Sequence, residues 1–466
     1  MDKNKGSFTG QLGFVLAAAG SAVGLGNIWR FPYLAAKDGG GAFLFIYLIL
    51  VLTFGFALLT TEIATGRMTK LSSTKAFEKI APKWKFVGVL GCAVPFIIYP
   101  YYCAIGGWVI KYFVAFASGQ GLAAADSKFF GGFITSQWEP VIYMTIFMGF
   151  VGYLINRGVE SGIESSSRYI MPVLILLVVA ISGFSLTLSF TDAAGVTRTG
   201  WEGFKILLVP DFSGYTFTAL LNVIMDAMGQ LFFSISVAMG IMISYGAYVK
   251  DEQNLVSGVN QIEFFDTAVG MLAGMMIIPA VYTFMGVEGM KASGPGLMFV
   301  ALPKVFASMG SMGTLIGVLF FALVFFAALT SAMSVLEAIV SNIMDVFGAQ
   351  RTNAVVIETV IGFILAIVVC FGYNVLYFEL PLPNGSVGQV LDVFDYISNN
   401  LFMPFVGLTT CILFGWVLGP EVIIQEVTKN GENFGRKQLY IIMMKYVTPV
   451  MLFVLLLQST GLMSKF

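Results

Sequence analysis

Gly20 to Pro32 reads GSAVGLGNIWRFP, inside an apolar run that begins near Leu12. This stretch is long and apolar enough to enter a bilayer, yet it is poorly built for a continuous helix. Gly20, Gly24, Gly26 and Pro32 interrupt it, and Asn27 and Arg30 sit at membrane depth. Each glycine weakens a helix by about 1 kcal/mol relative to alanine. Irregular backbone inside a bilayer is tolerated only where it lines a cavity or is buried in protein. The plain alternative is close helix packing through small residues.

A second stretch makes the cavity reading stronger. GQLFFSISVAMG, from Gly229 to Gly240, puts a polar Ser-Ile-Ser in the middle of another apolar run, five runs later. Interrupted spans in corresponding places of two halves point to a transporter built from inverted repeats, with its site at the interruptions.

The rest of the chain supports a membrane protein. Of its 466 residues 58% are hydrophobic and 11% charged, where a soluble domain carries about 25% charged. Runs of about 20 apolar residues recur, and short alternating strands of the β-barrel kind do not. Eleven spans are expected, near 11–36, 41–68, 86–117, 138–156, 165–187, 215–248, 258–286, 312–346, 353–372, 392–417 and 438–461. No soluble domain and no separate cleavable leader is expected, since the first run is too long and glycine-rich for one. The expectation is one transmembrane domain over 1–466, with a first repeat at 11–187, a second at 215–417 and an added helix at 438–461.

Basic residues set the orientation. Lys3, Lys5, Arg67, Lys70, Lys75, Lys79, Lys83 and Lys85 crowd one side, joined by Arg157, Arg168, Lys250, Arg351, Lys429, Arg436 and Lys437. This places the N-terminus in the cytoplasm and, with an odd span count, the C-terminus outside, in a plasma (inner) membrane. The net charge of −1 gives nucleic acid no reason to bind. Cys92, Cys103, Cys370 and Cys411 all lie in apolar runs as small buried hydrophobes, and histidine is absent. That removes the commonest metal ligand and proton shuttle. No nucleophile–base pair or metal spacing suggests an enzyme.

Taken together, GSAVGLGNIWRFP resembles the first-helix signature of the neurotransmitter:sodium symporters. DGGGAF (Asp38–Phe43), EIATGR (Glu62–Arg67), Tyr101–Tyr102, GQLFFSIS (Gly229–Ser236) and AALTSA (Ala327–Ala332) follow in that family's order. The resemblance implies an all-α membrane protein of LeuT fold. Two inverted five-helix repeats carry broken helices 1 and 6, with an eleventh helix added. It also implies sodium-coupled symport of a neutral, hydrophobic L-amino acid by alternating access. The partners are the amino acid, sodium and the lipid bilayer; the oligomeric state stays open.

The same resemblance implies two sodium sites. The first maps onto Ala22, Asn27, Ser234 and Asp266, where many relatives have asparagine in place of Asp266. Chloride-dependent relatives carry a serine where Gly270 stands, so the Asp266 charge is expected to replace chloride. The second maps onto Gly20, Val23, Ala327, Thr330 and Ser331, although Thr-Ser in an apolar helix commonly bonds back to its own backbone. The substrate would lie among Ala22, Gly24, Gly26, Ile98, Tyr102, Phe233, Ser234, Ser236, Met239, Ser331 and Val335. Amine-transporting relatives have aspartate at the Gly24 position, so glycine there favours a substrate with its own carboxylate. Leucine-like, aromatic and proline-like side chains all remain open.

For gating, Arg30 with Asp395 resembles the outer charge pair, above Phe233 and Tyr102. Lys5 with Asp345 resembles the inner pair, although relatives usually have arginine and tryptophan at Lys5 and Phe8. Glu62 and Glu337 are expected to support broken backbone. Gly162 to Pro172, GIESSSRYIMP, resembles the family's glycine-X9-proline unwinding motif. Pro172 cannot donate to the Arg168 carbonyl, Ser165–Ser167 can bond freed backbone groups, and Gly162 permits unusual dihedrals. The alternatives are a proton-coupled transporter on the same scaffold, with Asp266 or Glu337 as carrier, and a channel.

Overall fold

The computed structural model describes residues 6–192, 194–291 and 294–462. Ten helices in it are long and apolar enough to cross a bilayer, and one bent pair brings the count to eleven. Span 1 is that pair, Gln11–Ala22 (1a) and Gly26–Lys37 (1b), inclined at 48°. Span 2 is Gly41–Thr69, span 3 Pro82–Ala117, span 4 Glu139–Asn156 and span 5 Val159–Leu186. Span 6 divides into Phe217–Ser234 (6a) and Ile241–Tyr248 (6b). Spans 7 to 11 are Leu255–Gly289, Ser311–Phe347, Arg351–Phe371, Val390–Val417 and Lys437–Ser459.

Both expected interruptions are present. Span 1a stops at Ala22, and Val23 leaves the helical region at φ −77°, ψ 86°. In span 6 the helix ends at Ser234, and Ser236 and Ala238 adopt φ of 56° and 61°. A non-glycine residue in the left-handed region costs roughly 1–2 kcal/mol. Such strain persists where the surroundings fix it, and here they do. Glu62 of span 2 accepts the Ala238 backbone N–H at 2.6 Å, and the Ser236 hydroxyl donates to the Ser21 carbonyl at 3.2 Å.

Spans 3, 4 and 8 pack against one another and span 5 lies along span 7, while span 2 embraces span 6b. Span 1a is enclosed by spans 5, 7 and 8. The connections hold more structure than the hydropathy pattern suggests. There is an antiparallel hairpin, Ser189–Thr191 with Thr197–Thr199, and a shorter one, Leu380–Pro381 with Val387–Gly388. An apolar helical segment, Gly294–Ser308, lies between spans 7 and 8.

Candidate functional site

The two interruptions face each other. Between them is a tight cavity of about 20 Å³, room for about one water molecule. All eleven residues expected at the substrate site line it: Ala22, Gly24 and Gly26 from span 1, Ile98 and Tyr102 from span 3, Phe233, Ser234, Ser236 and Met239 from span 6, and Ser331 and Val335 from span 8. Ser21, Leu25, Ile241 and Ser334 line it as well and were not anticipated. Ser21 Oγ lies 2.7 Å from Ser334 Oγ and 3.1 Å from Ser236 Oγ, so hydroxyls from three spans meet at one wall.

The glycines are there for close approach. A Cβ at Gly24 would fall 2.3 Å from Ser331 Oγ and 3.1 Å from the Tyr102 hydroxyl. One at Gly26 would fall 2.8 Å from the Phe233 ring. The span 1 break directs backbone N–H groups to this region: Leu25 N–H lies 3.4 Å from the Tyr102 oxygen, and Gly24 N–H donates to Asn27 Oδ1 at 3.1 Å. Backbone N–H groups at a half-helix start suit a carboxylate.

Beside the cavity, Asp266 of span 7 is fully buried. Its Oδ1 accepts from Asn27 Nδ2 at 2.8 Å and from the Ser234 hydroxyl at 2.5 Å, and its Oδ2 from the Tyr47 hydroxyl at 3.2 Å. All three donors are neutral. Among the described residues no lysine or arginine forms an ion pair with this carboxylate. A buried charge needs compensation, and a hard cation with oxygen ligands would supply it. Asn27, Ser234 and Asp266 are thus brought together as expected, with Ala22 at the adjoining break. Tyr47, inside AFLFIYLIL, was missed, as was Gln230, which donates to the Gly26 carbonyl at 2.9 Å. Tyr47 carries no distinguishing local pattern, whereas Gln230 lies inside the GQLFFSIS motif.

At the second expected sodium position, Gly20 lies against Thr330. A Cβ on Gly20 would sit 3.4 Å from Thr330 Cβ and 3.4 Å from Met171 Sδ of span 5. The Thr330 hydroxyl donates back to the Phe326 and Ala327 carbonyls at 3.1 and 3.2 Å. Ser331 instead crosses to the Ser21 carbonyl at 3.0 Å. The hydroxyl lone pairs therefore remain available for a cation.

The charged residues are arranged differently from the sequence expectation. Arg30 and Asp395 form no ion pair; the Arg30 guanidinium lies 5.9 Å from the Phe233 ring centroid. Asp395 accepts from the Tyr101 hydroxyl at 3.1 Å and from Asn399 Nδ2 at 2.5 Å. Lys5 lies outside the described residues. Asp345 accepts the Ser72 backbone N–H at 2.7 Å. Glu62 supports broken backbone, as expected, but Glu337 does not. It pairs with Arg351 and accepts the Tyr248 hydroxyl at 2.6 Å, because Arg351 opens span 9 beside it.

Span 5 is helical through Pro172, beginning with a wide π-type turn at Val159–Glu164. Gly162 is required there for contact rather than for dihedral freedom: a Cβ would sit 2.0 Å from the Leu154 carbonyl oxygen. The Ser165, Ser166 and Ser167 hydroxyls make no hydrogen bond among the described residues in this wound state.

Residues 5–125 and 130–465 match the sodium:neurotransmitter symporter family. The chain belongs to that family. A sodium-dependent transporter of Bacillus subtilis, YhdH, is 33% identical over 97% of both chains. A sodium-dependent transporter of Haemophilus influenzae is 29% identical over 98% of this chain and 99% of its own. The human sodium- and chloride-dependent taurine transporter is 26% identical, over 89% of this chain and 72% of its own. Among solved structures, MhsT in complex with L-phenylalanine superposes with a TM-score of 0.85 at 33% identity, covering 98% of this chain and all of that one. The symporter chain is therefore a sodium-dependent transporter of LeuT fold, in a family of transporters rather than enzymes.

Proposed function

We propose that this symporter carries a neutral, hydrophobic L-amino acid together with sodium, bound at two sites, by alternating access and without need of chloride. The observation that carries the reading is Asp266: a fully buried carboxylate held by three neutral donors, beside a helix break, with no ion pair to a lysine or arginine among the described residues. Sodium at this point neutralises the carboxylate and gives the substrate carboxylate a partner. Asn27, Ser234 and the Ala22 carbonyl complete the first site. The Gly20, Val23 and Ala327 carbonyls with Thr330 and Ser331 form the second. Ile98, Phe233, Met239 and Val335 give the side chain apolar walls, and the likeness to a phenylalanine-bound transporter supports an aromatic or large aliphatic substrate. Residues 11–187 and 215–417 act as two opposed repeats, with 438–461 added and the N-terminus cytoplasmic. Arg30, over the Phe233 ring, and Asp395, held by Tyr101, close the outer mouth.

Uptake into proteoliposomes tests this. A sodium gradient should drive saturable accumulation of an aromatic or branched amino acid. A pH gradient without sodium should drive none; the reverse result would favour proton coupling. Ions leave toward the cytoplasm when span 5 unwinds below Met171. Pro172→Ala restores the missing bond to the Arg168 carbonyl. It should slow turnover roughly tenfold while leaving equilibrium sodium-dependent binding largely intact. Unaltered turnover, or equal loss of binding and turnover, would count against release through span 5.

A further inference from the structure

The cytoplasmic end of span 5 holds a buried carboxylate with no part in the sodium or substrate sites. Glu164 is 1% exposed in the fold. Its Oε2 accepts the Thr9 backbone N–H at 2.8 Å. Its Oε1 accepts the Thr9 hydroxyl and, at 2.6 Å, Arg168 Nη2. Arg168 Nη2 also reaches Thr9 Oγ1 at 2.7 Å. From the opposite side, Gly13 of span 1a lets the carboxylate lie against the helix: a Cβ there would fall 2.1 Å from Oε1. The preceding residue, Phe8, is fully buried among Phe14, Tyr245 and Tyr248, and its N–H donates to the Tyr248 carbonyl at 3.1 Å. Two consecutive residues before span 1a are thus pinned, Phe8 by span 6b and Thr9 by span 5.

Arg168 and Glu164 meet because they are one helical turn apart. Arg168 is also the residue whose carbonyl Pro172 cannot bond. If this turn unwinds, Glu164 loses Arg168 and its aim at Thr9. If Thr9 departs first, the carboxylate loses two of its three donors, and an underbonded buried charge is costly. Either event therefore promotes the other.

We propose that Glu164 is a positioning residue that makes the opening of span 1a and the unwinding of span 5 one step, its carboxylate holding Thr9 only while residues 164–168 stay wound. The proposal rests on the alternating-access reading above, yet its test needs only folded protein. Hydrogen exchange on the purified full chain in sodium, without substrate, would follow amides 8–14 and 159–168. Glu164→Gln should speed exchange in both segments together by about tenfold, the worth of one lost charged hydrogen bond. Gly13→Ala should do the same from the other helix, so the test survives if one variant fails to fold. Adding Glu164→Asp to Gly13→Ala shortens the acid and makes room for the added methyl. It should return exchange toward wild type, which general destabilisation would not do. Glu160→Gln, on the exposed face of the same segment, should leave both segments unchanged. Faster exchange in one segment alone, or in neither, would overturn the coupling. Absence of sodium-driven uptake by wild type would instead overturn the transport reading and leave the exchange result standing.

Discussion

Gly24→Asp abolishes amino-acid binding, with affinity falling by at least about a thousandfold. Two effects act together. Any Cβ at this position would lie 2.3 Å from Ser331 Oγ and 3.1 Å from the Tyr102 hydroxyl. The first is far inside van der Waals contact, so Ser331 would have to release the Ser21 carbonyl it holds at 3.0 Å. The carboxylate would then stand where the substrate carboxylate is proposed to sit. At about 4 Å and an effective dielectric of about 20, like charges repel by about 4 kcal/mol, which is the thousandfold. Gly24→Ala separates the two effects, because it has the methyl without the charge and should lose less. Equilibrium binding of a radiolabelled amino acid in saturating sodium measures both, and thermal unfolding confirms that each variant is folded. On wild type, decarboxylated amines should compete poorly. Competition by such amines equal to that of the parent amino acids would refute the role given to Gly24.

The parts of this arrangement that were legible in sequence are those in which a residue type violates its surroundings. Glycine, proline and Ser-Ile-Ser inside apolar runs marked both breaks, and Asp266 was conspicuous at membrane depth. Once the breaks were placed, the cavity followed, because its other walls lie on motifs in a fixed order. Tyr47 was invisible for the opposite reason. A tyrosine in AFLFIYLIL reads as ordinary packing until the fold puts its hydroxyl 3.2 Å from Asp266. Ser21 and Ser334 belong to the cavity only through the crossing of spans 1, 6 and 8. Charge pairs were least legible, because a long side chain has several partners within reach: Arg30 lies over Phe233 instead of meeting Asp395. Glu337 pairs with an arginine that the sequence places merely at a loop edge. The helical segment Gly294–Ser308 opens on Gly-Pro-Gly, which reads as a turn, and the hairpins lack the length from which a period can be read.

Asp266→Asn should abolish transport in every anion, and adding Gly270→Ser should restore part of it in chloride alone. In wild type the Asp266 carboxylate accepts from Asn27, Ser234 and Tyr47. Asparagine offers one acceptor oxygen where there were two and turns an N–H₂ toward one of those donors. The proposed first sodium site also loses the negative charge of Asp266. Removing one member of a buried charge pair costs about 3 kcal/mol or more, over a hundredfold in affinity. Position 270 is one helical turn further along span 7, facing the same volume. A Cβ there would lie 3.5 Å from Asn27 Nδ2 and 3.7 Å from the Phe31 ring, so a serine fits without displacing a neighbour. Its hydroxyl, with the Tyr47 hydroxyl, gives an anion two donors near the place vacated by the carboxylate charge. Uptake by the double variant should therefore rise at least about tenfold when chloride replaces gluconate, the worth of one charged hydrogen bond regained. Uptake by wild type should be nearly unchanged by the same exchange. A collapse of wild-type uptake in gluconate would mean that the Asp266 charge does not stand in for chloride.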